Sequence, residues 1–276
     1  MATGRIQYFG FAAAGANPTF VHKGIINGGN HNLKSEIVRL PGIGNYKDFG
    51  SRPGLASGGG NVNFDVNDDM KALLVSYGLR TAGALPEIGI DAGDTNWGAK
   101  HLYAMSTGWV LKAEAKGKLS GSFSWLTRNG SETTGAQTMS VTAATPVYMW
   151  YEFAMTGITG LSIRSIDIAV RHKVELDPLL STPATNAVRL ADAFADAGQE
   201  PVDFKMTLRQ HPAGSHTPLM DVLAAIASVV VTFTSGTKTC VVTLTNCWLN
   251  DKNEDFSPAA IANKGLNFQA EDITIA

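Results

Sequence analysis

The chain is poor in charge. Only 17% of its 276 residues are Asp, Glu, Lys or Arg, against roughly 25% in ordinary soluble domains. So little charge suggests a surface that is covered by something other than water. What charge there is nearly cancels, at a formal net −2, which excludes the strongly basic surface of a DNA-coating protein. Cysteine is equally scarce, with Cys240 and Cys247 the only two. A disulfide scaffold of this size would carry more, so both read as free thiols of a reducing compartment. No run approaches the ~20 consecutive apolar residues of a membrane-spanning helix. A short apolar island at Tyr8, Phe9 and 11–14 is too brief and too glycine-broken for a secretory signal.

Glycine, by contrast, is plentiful, with 29 residues or about one in ten against an average near 7%. Apolar residues make up 44%, enough for a core in a chain long enough for one large domain or two ordinary ones. Residues 1–150 carry a net +3 and residues 151–276 a net −5. Such an asymmetry suits one half facing the other half of a neighbouring copy.

The periodicity is mostly that of strands, and the fold class expected is mainly β. At 61–66 (Asn-Val-Asn-Phe-Asp-Val) apolar residues fall at every second position, which places Val62, Phe64 and Val66 on one face. The same reading applies to 36–40, 117–125, 165–176, 202–208 and 266–275. Segments 228–234 and 240–249 flank Ser235-Gly236-Thr237-Lys238, a hairpin turn. One short helix is expected from the capping supply Asn67-Asp68-Asp69 through Met70–Val75 to a stop at Gly78. A second is expected from Thr217-Pro218 through 219–226, with proline in its first turn. Residues 41–60 and 181–199 read as long loops, which in a compact domain are usually functional.

The order of these elements repeats. Each half reads strand, long loop, strand, short helix, later strand. Val38-Arg39 matches Val170-Arg171, and Val62 and Phe64 match Val202 and Phe204. Offsets of 132 to about 149 drift as loop insertions in a duplication would make them. A division near residue 150 falls on Val147-Tyr148-Met149-Trp150-Tyr151, whose aromatic density suits a joint between lobes.

Catalytic signatures are missing. There is neither a Gly-x-Ser-x-Gly elbow nor a His-Glu-x-x-His pair. Cys240 and Cys247, seven apart on one strand, are expected on opposite faces. His22, His31, His101, His172, His211 and His216 have no ligand spacing, and the loop pair His211 and His216 reads as solvated. Asp65, Asp68 and Asp69 are better explained by helix capping than by a cation. Gly58-Gly59-Gly60 precedes a strand rather than a helix, so it is not a phosphate loop. Asn129-Gly130-Ser131 fits a glycosylation sequon but reads as a turn. No catalytic, cofactor-binding or metal-binding residue is therefore nominated, and no cofactor is expected.

Several segments taken in order do carry a resemblance. They are Lys34-Ser-Glu-Ile-Val-Arg-Leu40, a glycine-rich stretch, Gly59-Gly-Asn-Val-Asn-Phe-Asp-Val66, and Asp68-Asp-Met-Lys-Ala-Leu-Leu74. Lys116-Gly-Lys-Leu-Ser-Gly-Ser-Phe-Ser124 and Thr145-Pro-Val-Tyr148 follow. Together they resemble the tail tube proteins (major tail proteins) of long-tailed bacteriophages over roughly residues 30–275, the inserts at 79–98 and 181–198 being departures. The resemblance implies two tandem β-sandwich or barrel-like lobes, each with a short flanking helix: 1–150 with an N-terminal arm, and 151–276. It implies rings that stack into the hollow tail tube of a virion, made in the host cytoplasm, through which DNA passes. Two lobes per chain then imply a homotrimeric ring with pseudo-sixfold symmetry. Partners would be further copies, the tape measure protein, tail terminator and tail-tip proteins, and transiting genomic DNA held without sequence specificity. An acidic or neutral lumen would let DNA slide, with Asp203, Glu271 and Asp272 as candidate lining acids. The alternatives are a capsid decoration or tail terminator protein, or a β-sandwich carbohydrate binder using Trp97, Trp109, Trp125, Trp150 and Trp248.

Overall fold

The computed structural model describes residues 8–23, 26–40, 50–94, 97–133, 146–158, 161–177, 189–191, 193–209, 225–254 and 263–276. Along the chain the strands are β1 (Tyr8–Ala13), β2 (Val21–Lys23), β3 (Ile26–Leu40), β4 (Gly50–Asp65), β5 (Glu87–Gly93), β6 (Gly98–Glu114) and β7 (Ser120–Thr133). They continue with β8 (Phe153–Thr156), β9 (Ile163–Asp177), β10 (Arg189–Leu190), β11 (Ala193–Gln199), β12 (Val202–Arg209), β13 (Ile226–Ser235), β14 (Lys238–Glu254) and β15 (Asn263–Ile275). A helix, α1 (Asp68–Leu73), runs on into one π-helical turn at Leu74–Gly78. The protein is thus mainly β, built around a large and almost wholly antiparallel sheet.

Alternation makes the core. Across seven neighbouring strands one rung runs Phe64, Gly121, Leu111, Ile168, Phe204, Phe268, Leu249. All but Gly121 belong to or pack on one hydrophobic cluster. Gly121 is required there: a Cβ would stand 2.6 Å from the Phe64 ring. The next rung, on the opposite face, runs Asn63, Ser122, Val110, Ala169, Asp203, Gln269, Trp248. At ~4.8 Å per strand the sheet is about 29 Å wide along this line.

The helix starts where its sequence places it. Asn67 caps it, its Oδ1 accepting the Met70 N–H at 3.0 Å, while Asp68 and Asp69 lie at the positive end of the helix dipole. Met70 and Leu73 face the core. Asn67→Ala is expected to cost about 1 kcal/mol, read as a lowered denaturant midpoint with an unchanged slope.

The six principal strands of each half pair in one order. In the first half it is β1-β5-β6-β7-β4-β3, and in the second β8-β13-β14-β15-β12-β9. Their order along the chain also agrees. β3 and β9 each have 15 residues, and β6 and β14 each have 17. β11 and β12 act as one bulged strand against β9: Gln199 faces His172, the Glu200 N–H donates to the Arg171 carbonyl at 3.0 Å, and Asp203 faces Ala169. This long hairpin is the counterpart of β3–β4.

Several expectations are corrected. Residues 50–60 are not loop but the first part of β4, paired with β3 from Gly50 to Gly60. The glycines there serve close approach, since a Cβ on Gly60 would stand 2.6 Å from the Trp125 ring. Residues 193–199, expected as loop, form β11. The insert at 79–98 contains β5, whose alternate residues Ile88, Ile90 and Ala92 join the core while Gly89 and Asp91 between them are buried too. Asn129-Gly130-Ser131 is no turn but lies in β7, opposite Tyr103, His101 and Lys100. Of the second helix expected at 219–226, residues 219–224 lie outside those described, while Ala225 is not helical and Ile226 already belongs to β13. Residues 41–49 and 181–188 also lie outside them.

Candidate assembly interface

One strand joins the two halves. β6 is bordered on one side by β7 from Gly98 to Lys112. Its other side is shared: residues 98–105 pair with β5, and residues 108–114 pair with β9. The hand-over falls at a bulge between Ser106 and Gly108, where Gly108 has φ +151°. A Cβ at Gly108 would lie 2.5 Å from the Val170 carbonyl oxygen, so glycine lets β9 approach. Trp109 seals the seam from the core side, opposite Val170, with its Nε1–H donated to the Gly78 carbonyl at 2.7 Å. His172 of β9 reaches the same carbonyl, Nε2 to O 3.0 Å.

Beyond the seam the hairpin of β9 and β11 lies across the first half. Val174 and Phe194 pack with Leu85, Met105 and Leu126. The Arg128 guanidinium stands 4.5 Å from the centre of the Tyr103 ring and 5.9 Å from that of Phe194. Arg80 bonds Asp196. On the outer face Lys112 meets Asp167 at 3.1 Å and Arg171 meets Asp203 at 2.9 Å. These exposed pairs contribute little stability but fix register.

Several strand edges are left open among the described residues, β2, β8 and β11 each pairing on one side only, and two further edges bear on the seam. β3 pairs on one side only, with β4. β14 pairs with β13 only as far as Cys247, so residues 248–254 have β15 on one side and no strand on the other. Trp248 stands there, 48% exposed.

The outer face between these edges is small and polar. Asn61, Asn63, Ser120, Ser122 and Ser124 cover its first half. Two shallow depressions there, about 380 and 320 Å³, are lined mainly by Gly, Asn and Ser. An apolar cavity near the seam, between Ala113, Trp150, Phe153, Ile163 and Phe233, measures about 80 Å³, well below the ~300 Å³ of a small-molecule site.

The remaining candidates are placed as follows. Asp203 on β12 pairs with Arg171; Glu271 on β15 accepts from Asn246 Nδ2 at 2.8 Å; Asp272 accepts the Ile273 N–H at 2.8 Å. Asp65 is not a cap: it is buried and takes Lys118 and Asn27, both at 2.7 Å. Asp68 accepts from Tyr148 at 2.7 Å and pairs with Lys238 at 3.0 Å, while burial, and then this bond to Asp68, push the Tyr148 hydroxyl pKa up. Tyr148 is therefore core, whereas Trp150 and Tyr151 are exposed. Trp109 and Trp125 are also core. Cys240 and Cys247 do not divide between a buried and an exposed face. Both are buried, because burial along β14 changes parity at Asn246, whose φ is +51°. Burial pushes both thiols up to about 11.

A buried histidine group was not legible in the sequence. His31 stacks on Trp97 at 4.5 Å and meets His101 edge-on at 6.1 Å, and His101 meets Trp125 at 5.7 Å. Neither His31 nor His101 makes a side-chain hydrogen bond among the described residues. Burial, reinforced by His31, lowers the His101 pKa to about 3, and burial lowers His31 as well. Nearby, His22 bonds Asp91 at 3.0 Å. Among the described residues no three such groups converge as metal ligands do. His211 and His216 lie outside those residues. No family model matches the chain, and no curated protein matches its sequence.

Proposed function

We propose that the chain is a structural virion protein whose copies assemble into stacked rings, the hollow tail tube of a long-tailed bacteriophage. The observation that carries this reading is the repeated strand order, with the two repeats joined edge to edge into one sheet. A unit that adds its like along an open edge grows by heterologous contacts, which close into rings or run on as filaments. In this reading the repeats are two tandem lobes, 1–150 and 151–276, and three copies supply six lobes. The small polar outer face, with charges of both signs, suits a lumen along which DNA slides without adhering. Asp203, Glu271 and Asp272 would contribute its acids. The low charge of the chain fits a surface mostly covered by siblings. The tape measure, terminator and tip proteins would be the other contacts, within a virion assembled in the host cytoplasm.

Negative-stain images of the purified protein at rising concentration test this. Rings of uniform diameter stacking into hollow cylinders are expected, with a ring mass of three chains. A monodisperse single chain at every concentration would overturn it, and discrete particles that bind capsids without polymerising would favour a decoration protein.

A further inference from the structure

The joint inside the chain specifies a joint between chains. Within one molecule the distal part of β6, residues 108–114, receives residues 165–171 of β9 in antiparallel register. The counterparts of these two strands in the repeated order are β14 and β3. Counted from the strand ends, the counterpart of 108–114 is 248–254, at the end of β14. The counterpart of 165–171 is 28–34, just after the start of β3. Both stretches are edges with a strand on one side only among the described residues. The chain therefore exposes both halves of a joint that it already makes once internally.

We propose that residues 248–254 of one copy pair antiparallel with residues 28–34 of the next, repeating the β6–β9 seam. The occupant of each edge is a second copy of this chain. The contact is heterologous, since the two edges differ, and it extends the sheet from molecule to molecule by main-chain hydrogen bonds. Gly28, with φ +133°, has open space where a Cβ would stand, whereas Gly29, with φ +159°, serves the approach of β4, since a Cβ there would crowd the Asn61 carbonyl. Asn30, Asn32 and Lys34 are exposed on β3, and Asn250 and Asp251 are exposed on β14. Asn32 falls opposite Asn250 in the register carried over.

The inference rests on the tandem reading and not on the tail-tube assignment. Hydrogen exchange on the full chain, dilute and assembled, tests it. Exchange in 28–34 and 248–254 is expected to slow by roughly tenfold or more on assembly, with other exposed edges little changed. Asn32→Cys combined with Asn250→Cys should give a ladder of oxidised oligomers, and neither single variant should. Assembly in which both segments exchange as fast as in the dilute chain, with no ladder, would overturn the joint while leaving the tube reading intact. Protection and ladder in an assembly that is not a tube would uphold the joint and remove the tube. A chain that never associates would overturn both.

Discussion

Trp109→Ala is expected to lower the unfolding free energy by about 3–5 kcal/mol, the range for removing a large buried aromatic. Trp109 is 1% exposed and lies where β6 meets both β7, at Phe123, and β9, at Val170. Its loss leaves a cavity at the seam that the rigid strand ladder on either side cannot collapse to fill. It also withdraws the indole N–H from the Gly78 carbonyl. Trp109→Phe keeps most of the volume and loses only that bond, so its cost should be nearer 1–3 kcal/mol. Urea unfolding curves measure both. Equal midpoints for the wild type and the alanine variant would mean that the seam is not cooperative with the rest of the core.

The second large effect is with acid. A histidine whose folded pKa is depressed binds its proton more readily when unfolded. Above the unfolded value of about 6.5 both states are neutral and nothing changes. Between 6.5 and the folded value, stability falls as pH falls, by up to about 1.4 kcal/mol per pH unit for each such group. For His101 that window extends down to about 3. His31 and His172 are shifted in the same direction, and burial is the largest cause for each. Asp94 and Asp91 face His31 and act against its shift. The denaturant midpoint should therefore decline from pH 7 toward pH 4.5. His101→Leu should make that decline shallower, since the ring makes no side-chain hydrogen bond to lose. A midpoint that is flat across this range would contradict the buried, neutral state of these rings.

Which parts could be foreseen from sequence follows from which side chains report their surroundings. Strands with one buried face announced themselves: Val62, Phe64, Val202, Phe204, Met206 and Leu208 are all buried at the alternate positions expected. The Asn67 cap was legible because capping chemistry is local. The glycine-rich start of β4 was not, because glycine gives no periodic signal and is there to admit Trp125. β5 does carry a short alternation, Ile88, Ile90 and Ala92, but the glycines interleaved with it make the stretch read as an insert. The parity change in β14 depends on one backbone angle at Asn246, which no apolar pattern encodes. Of the interface, the sequence offered the repeated order of elements. It could not offer the sharing of one side of β6 between β5 and β9, a matter of tertiary pairing alone, nor the meeting of His31 and His101 from strands β3 and β6.

That sharing has a kinetic consequence. Because β6 and β9 belong to one polypeptide, their seam closes as an intramolecular event, and linked partners meet at effective concentrations of about millimolar. Dilution leaves that union untouched. A junction between separate molecules enjoys no such tether and responds to how many of them are present. If copies join as proposed, the covalent tie would separate maturation of the monomer from its polymerisation: the first would be complete at any abundance, and the second would wait until synthesis has raised the supply.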